Sequence, residues 1–571
     1  MLIIKRSANM NRLKGIPYGI SDFNRLRNDN FYFVDKTIYL PLIERMPSYL
    51  SLTRPRRFGK SLFLSMMRTY YDLLQRDNFD RYFGDLWIGA HPTDQRNHYQ
   101  VLYFDFSKAG CSVPGDGMMA SFNEYSSLVI NQFADDYASF YDPDFKSTVE
   151  SISSAKAKLS YIELKAKAKG YPLYLTIDEY DNFTNVILSE HGQKMFHDLT
   201  HASGFYREYF KQYKGMFDRI FLMGVSPVTL DDLSSGYNID WNISTDSRFN
   251  AMMGFSETEV REMFRYYQEN DALPGDIEAM IAEMKPWYDN YCFARMSLGD
   301  DRVFNCDMTL YYLRSQFDFH RSPEEMVDKN IRTDYSKLKM LARIDHDSAH
   351  EGSRMSTIEE IATKGEILVN LHTSFPAERV ADVDNFRSLL YYYGLLTMCG
   401  TRGDRLRMCI PNHCVREQYF GFLREYYQQA HPLDLSRLKD QIDDLAYDGV
   451  WKPFFESIAC AYRENSSVRD GMEGERNLQG FLKAYLALAS YYLVEPELEM
   501  NYGYCDFFLL PDKQRYRTLS TATSSNSNTL PAPLPMRNLQ CKPTKGIANF
   551  FNTAKIKWPD NWRRGRLFTG C

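Results

Sequence analysis

What this chain lacks narrows the classes before any motif is read. Its ten cysteines are scattered, with no Cys-x-x-Cys pair, which argues against a zinc ribbon or disulfide scaffold and for a reducing compartment. No run of about 18 apolar residues occurs, so no membrane span is expected. The N-terminus lacks the apolar core of a secretion signal, which makes the cytoplasm the expected location. Charge of one sign is also missing: a net charge of −6 gives no global pull toward nucleic acid, although Arg54-Pro55-Arg56-Arg57 is a local basic patch. From Thr518 onward apolar periodicity disappears, and a Ser/Thr/Asn/Pro-rich composition reads as unstructured.

What is present exceeds one core. A length of 571 residues calls for two to four domains, and the 25% charged and 44% hydrophobic shares are ordinary for a globular chain. The 41 tyrosines and 38 phenylalanines forecast large aromatic cores or interfaces. Up to about residue 255, strand-like and helical stretches alternate, as in an α/β sheet. From Ser256 an N-cap with early acids opens a helix-dominated region, and Leu389–Leu396 with Arg405–Ile410 suggest a small α+β or winged-helix layer.

The sharpest chemical signal is Thr53-Arg54-Pro55-Arg56-Arg57-Phe58-Gly59-Lys60-Ser61. It follows an apolar segment and leads into a helix-like run, the setting of a phosphate-binding loop. Such a loop needs backbone amides at a helix N-terminus, a lysine for the outer phosphates and a hydroxyl for Mg²⁺. Gly59, Lys60 and Ser61 fill the last three places of G-x-x-x-x-G-K-[ST] (Walker A), but Arg54 stands where the first glycine belongs. A second segment, Leu173–Glu179, is an apolar strand ending in two carboxylates (Walker B), 118 positions after the lysine. One carboxylate suits Mg²⁺ and its neighbour suits the attacking water. The strand Arg219–Val225 should lie beside it and put Ser226 at the place of a γ-phosphate sensor; a plain strand-ending serine is the equal alternative. Arg248 is one candidate for a charge-stabilising finger, set against a solvated surface arginine.

Together these segments resemble a bacterial and archaeal family in which an AAA-type ATPase-like domain is fused to a PD-(D/E)xK nuclease-like domain. The resemblance rests on Gly19-Ile20-Ser21-Asp22-Phe23, Tyr32-Phe33-Val34-Asp35-Lys36-Thr37, the loop Arg54–Ser61, Asp178-Glu179-Tyr180-Asp181, Gly254-Phe255-Ser256 and Trp287-Tyr288-Asp289-Asn290-Tyr291. It covers roughly residues 11 to 517, and arginine at the first loop glycine is expected within it. It implies ATP and Mg²⁺ as cofactors. The loop Arg54, Pro55, Arg56, Arg57, Phe58, Gly59, Lys60 and Ser61, with Ser226, would bind nucleotide. Ser61 and Asp178 would hold the metal, and Lys60 and Glu179 would be catalytic.

The nuclease pattern asks for a helix acid, a strand acid and then Glu-x-Lys on the next strand, because clustered carboxylates and a lysine are needed to activate water on divalent ions. Glu475, Glu499 and Asp506 fit the first acids, with a solvated edge as the other reading of Glu499. No Glu-x-Lys follows. Read one base out of frame, however, Leu519–Thr529 can encode Glu-His-Ser-Tyr-Ile-Leu-Glu-Leu-Lys-Tyr, which restores the strand and its pair. A frameshift near residue 518 is therefore expected, and DNA cutting by the chain as it stands is not.

The expected fold is α/β: a P-loop ATPase-like domain over 11–255, a helical lid and small α+β region over 256–432, a truncated PD-(D/E)xK nuclease-like domain over 433–517 and a tail over 518–571. The expected activity is Mg²⁺-dependent ATP hydrolysis coupled to conformational change. A non-hydrolysing nucleotide switch is one alternative; an ATP-regulated DNA nuclease, with the frame restored, is another. Nucleic acid and a second copy of the chain stay open as partners.

Overall fold

The computed structural model describes residues 13–109, 116–182, 186, 205–228, 241–300, 302–328, 338, 341–342, 348–376, 379–380, 382–430, 433–466, 475–489, 491–500 and 503–511. Contacts divide the chain into two compact units. One holds residues 1–334, 340–350 and 368–414; the other holds 335–339, 351–367 and 415–571.

The first unit is built on five parallel strands: β1 (Tyr49–Thr53), β2 (Gln100–Asp105), β3 (Leu173–Asp178), β4 (Arg219–Gly224) and β5 (Trp241–Asn242). Their order is β2-β3-β4-β1-β5. Every residue of β3 is buried, as are the last five of β4, which is why both read as mainly apolar runs without alternation. Helices α1 (Lys60–Tyr71), α2 (Asp116–Asp136), α3 (Ala155–Lys169) and α4 (Phe205–Tyr213) make the crossovers. The expected α/β class is therefore observed, and β4 does lie beside β3. It also lies between β3 and β1, an arrangement that no local pattern announces.

Register sets the carboxyl ends level. Thr53 pairs with Gly224, Asp178 with Met223, and Asp105 with Asp178. In an open parallel sheet this edge is where ligands bind.

Residues 255–334, 340–350 and 368–414 continue in the same unit. Strands β6 (Phe255–Ser256) and β7 (Val303–Phe304) pair antiparallel. Helix α5 (Glu257–Glu269) starts in a capping box, with the Ser256 hydroxyl on the Glu259 amide and the Glu259 carboxylate on the Ser256 amide, as its early acids forecast. Helices α6 (Ile277–Tyr288), α7 (Cys306–Phe319) and α8 (Val383–Tyr392) follow. Strands β8 (Glu366–Val369), β9 (Thr397–Arg402) and β10 (Arg405–Cys409) form a three-stranded sheet in the order β8-β10-β9.

The second unit is mainly helical, including Leu435–Asp443, Lys452–Ser466 and Glu475–Leu486. Its interior is tied by Tyr427, which donates to Glu359 at 2.8 Å, and by Lys483, which donates to the Thr363 carbonyl at 2.9 Å. Strands β11 (Tyr492–Met500) and β12 (Gly503–Pro511) form an antiparallel hairpin; among the described residues no third strand joins it. The predicted tail 518–571 lies outside the described residues.

Candidate functional site

The loop between β1 and α1 is shaped by its neighbours as much as by its own sequence. Gly59 caps α1 in the left-handed region, φ 83°, where a side chain would strain the backbone. Arg57 also has positive φ, 69°, and reaches Asp307 at the start of α7, 3.7 Å away. Phe58 is buried edge-on against Tyr291 and Phe293, with ring centroids at 4.8 and 5.5 Å. Its carbonyl accepts the Gly254 amide at 3.1 Å.

Arg54 needs a correction to the role expected of its side chain. The guanidinium is turned into the protein, 1% exposed, and donates to the carbonyls of Thr53 (3.0 Å), Ser244 (2.6 Å) and Phe249 (3.0 Å). It also lies over the Phe293 ring at 4.4 Å. Those commitments leave only backbone for an anion at this position. The same holds for Phe58, while Pro55 contributes its carbonyl to Lys60. Arg56 is exposed at the mouth of the loop.

Lys60 is buried and donates to the carbonyls of Arg54 (3.1 Å) and Pro55 (2.9 Å). Burial pushes its ammonium below the usual lysine range, and the nearby carboxylates Asp178, Glu179 and Asp181 push back. Burial likewise raises Asp178; the Ser61 hydroxyl and the Lys60 charge oppose it, while Asp105 adds to the rise. Glu179, at φ 49°, is raised by burial and opposed most by Arg56. The structure thus brings Lys60, Ser61, Asp178 and Glu179 together, although the sheet interposes a whole strand between their parent strands.

Ser226 is buried just past β4. Its amide and that of Val225 are held by the two oxygens of Asp181, at 2.7 and 3.1 Å. Its carbonyl accepts the Tyr180 hydroxyl at 2.7 Å. Asp181 is therefore a site residue that spacing did not assign, even though it sits inside a motif already quoted. Its signal was a third carboxylate, after Asp178 and Glu179, at the end of a buried strand. Gly224 makes the clamp feasible, since a Cβ there would overlap Asp181 Oδ1 and the Tyr180 ring.

Two residues of another signature segment, Lys36 and Asp35, are committed to partners outside the loop. Lys36 donates to the Ala251 carbonyl (2.9 Å) and pairs with Glu259 (2.6 Å). The Asp35 carboxylate takes the Thr37 amide and hydroxyl and the Trp87 amide. Arg248 is exposed and bound to Asp246 on its own turn.

The family described as predicted AAA-ATPase (AAA-ATPase-like) matches residues 17–234, which span all four of the strands that carry the site. Residues 17–234 form an AAA-ATPase-like domain. The PD-(D/E)XK nuclease superfamily matches residues 473–521. A curated protein from Azotobacter chroococcum mcd 1, "Uncharacterized protein in vnfD 5'region", is 29% identical over 318 residues, 53% of each chain. The chain thus spans about half the length of this curated relative. Among solved structures, Cdc6p from Pyrobaculum aerophilum aligns with a TM-score of 0.26 and 11% identity over 73% of this chain and 96% of that one. The Orc1 protein of Aeropyrum pernix in complex with DNA aligns with a TM-score of 0.25 and 10% identity over 70% and 90%. Scores this low carry no weight; the AAA-ATPase-like assignment rests on the family match and the parallel sheet.

For the nuclease segment, the hairpin register pairs Glu499 with Tyr504, and Asp506 follows two residues further along β12. Glu475 opens the helix Glu475–Leu486. The side chains of these three acids lie outside the described residues. Among the described residues no group of three or more His, Cys, Asp or Glu side chains is placed to hold a metal, and no helix is long and apolar enough to cross a membrane.

Proposed function

We propose that the AAA-ATPase-like domain binds ATP at the carboxyl edge of its sheet and hydrolyses it with Mg²⁺, using the energy to reposition the elements braced against the loop. The observation that carries this reading is the buried Lys60 ammonium, which shares one edge with Ser61, Asp178, Glu179 and Asp181. Amides of the loop and the N-terminus of α1 would cradle the phosphates, with Lys60 on the outer ones. Mg²⁺ suits the donors present: it favours hard oxygen ligands and takes only one or two carboxylates beside phosphate and water, and Asp178 with the Ser61 hydroxyl supplies such a pair. Bound there, the ion would neutralise charge building on the phosphoryl oxygens. Glu179, next to Asp178 and balanced by Arg56, would orient the attacking water.

The test is ATP binding and turnover by wild type, Lys60→Ala and Glu179→Gln. Lys60→Ala should lose ATP affinity tenfold or more. Glu179→Gln should keep affinity and lose at least a hundredfold in kcat, since water positioning acts in the transition state. A wild type that binds ATP without turnover would instead support the non-hydrolysing switch.

The nuclease-superfamily match favours a second reading, an ATP-regulated DNA nuclease in a frame-restored chain. That match ends at residue 521, close to the expected frame change. Sequencing the gene decides it: codons unable to spell Glu-Leu-Lys in the shifted frame would end this reading.

A further inference from the structure

The chain carries a net charge of −6, yet one hairpin turns three arginines to solvent. Strands β9 and β10 meet in the two-residue turn Gly403-Asp404, which Gly403 permits with φ +61°. Alternation gives the hairpin two faces. Leu406, Met408 and Met398 are buried on one side, while Arg405 and Arg407 are exposed on the other. Arg402 stands directly opposite Arg405, so their Cβ atoms share a face about 5 Å apart. Arg407 pairs with Gly400, where a Cβ would lie 3.1 Å from its Nε and Nη2; glycine thus lets the guanidinium lie across β9. Two more arginines flank the hairpin from the segment before β7. Arg302 donates to the Met398 carbonyl at 2.9 Å and Arg295 to the Gly403 carbonyl at 3.4 Å.

Like charges directly opposite on a sheet repel and destabilise it. Among the described residues no carboxylate is paired with Arg402 or Arg405. The lysine-rich helix α3 differs: Lys156 pairs with Glu208, Lys167 with Glu163, and Lys165 and Lys169 with Asp142. A polyanion laid on the hairpin would remove the repulsion. Guanidinium forks suit phosphate oxygens, and the major groove of DNA admits a two-stranded ribbon. The tip Arg402-Gly403-Asp404-Arg405 has no apolar residue to enter a lipid surface. We propose that the β9-β10 hairpin binds the phosphate backbone of double-stranded DNA through Arg402, Arg405 and Arg407. Such contacts position a duplex without reading its sequence. They need no nucleotide, so they stand or fall apart from the ATP reading.

The experiment measures binding of a short DNA duplex to the full chain without nucleotide, over about 50 to 200 mM salt. It compares wild type with Arg402→Gln/Arg405→Gln, the charge-keeping Arg402→Lys/Arg405→Lys, and Lys156→Gln/Lys169→Gln on α3. The glutamine pair at the hairpin should lose affinity about tenfold or more. Its slope of log affinity against log salt should become shallower by about 2. Its melting temperature should hold or rise, because the repulsion leaves with the charges. The lysine pair should keep the slope, and the α3 variant should keep affinity within about twofold. A hairpin glutamine variant that binds like wild type or melts lower, an equal loss in the α3 variant, or wild type that binds no duplex would each overturn the proposal. Arginine-dependent binding of anionic vesicles or polyglutamate in place of DNA would overturn it as well.

Discussion

At the residue scale, Arg54 shows how a departure from a motif is a structural solution. Where phosphate loops commonly carry glycine, this chain carries a guanidinium that bridges three carbonyls from β1, the turn after β5 and the segment before β6. A charged group buried this deeply is tolerated because its donors are satisfied, apart from Nε, and because the Phe293 face lies beneath it. Arg54→Gly, which restores the common motif, should therefore weaken the protein. It empties a large buried volume and takes from the Ser244 carbonyl its guanidinium donor, a loss on the order of 3–5 kcal/mol by cavity and unsatisfied-acceptor arguments. Denaturant unfolding of Arg54→Gly beside wild type checks this; equal midpoints would contradict it. The oddity at position 54 was legible in the sequence. Its purpose was not, because two of its three acceptors lie 190 and 195 residues away.

At the scale of elements, the end of β4 is the tightest place in the site. Asp181 grips two amides there, and Gly224 leaves room for it. Gly224→Ala should push the Asp181 carboxylate off those amides and move Ser226. We expect a stability loss of about 2 kcal/mol or more from overpacking, together with a lower kcat. Calorimetry and ATP turnover read the two effects separately, and a fully active, equally stable variant would refute the clamp. Local chemistry made several elements readable in advance. The mainly apolar runs of β3 and β4 announced buried parallel strands, and Ser256 with Glu259 announced the start of α5. The placement of β4 between β1 and β3 was not readable, since pairing is set by long-range burial and crossover geometry rather than by any strand's own residues.

At the scale of the whole molecule, the AAA-ATPase-like domain shares one compact unit with the segments 235–334, 340–350 and 368–414. Ligand binding should therefore stabilise more than the loop. With ATP and Mg²⁺ at a hundred times the dissociation constant, mass action adds about 2.7 kcal/mol to a native state that alone binds them. Hydrogen exchange should show the added protection over residues 49–61, 173–182 and 219–228, and Lys60→Ala should show none. Protection confined to other segments would move the site elsewhere.

The amino-acid sequence by itself determined the chemistry on offer. Lysine and serine at a helix start, two carboxylates at a strand end and a serine after the next strand are local patterns, and their meaning survives without coordinates. Tertiary structure alone decided which groups meet. It turned Arg54 inward and made Asp181 a clamp. It assigned Lys36 to Glu259, and it brought Gly394, over three hundred residues from the loop, against Pro55. The reason is physical: propensity and periodicity act over a few residues, whereas burial and polar satisfaction are settled between segments that only the closed fold brings into contact.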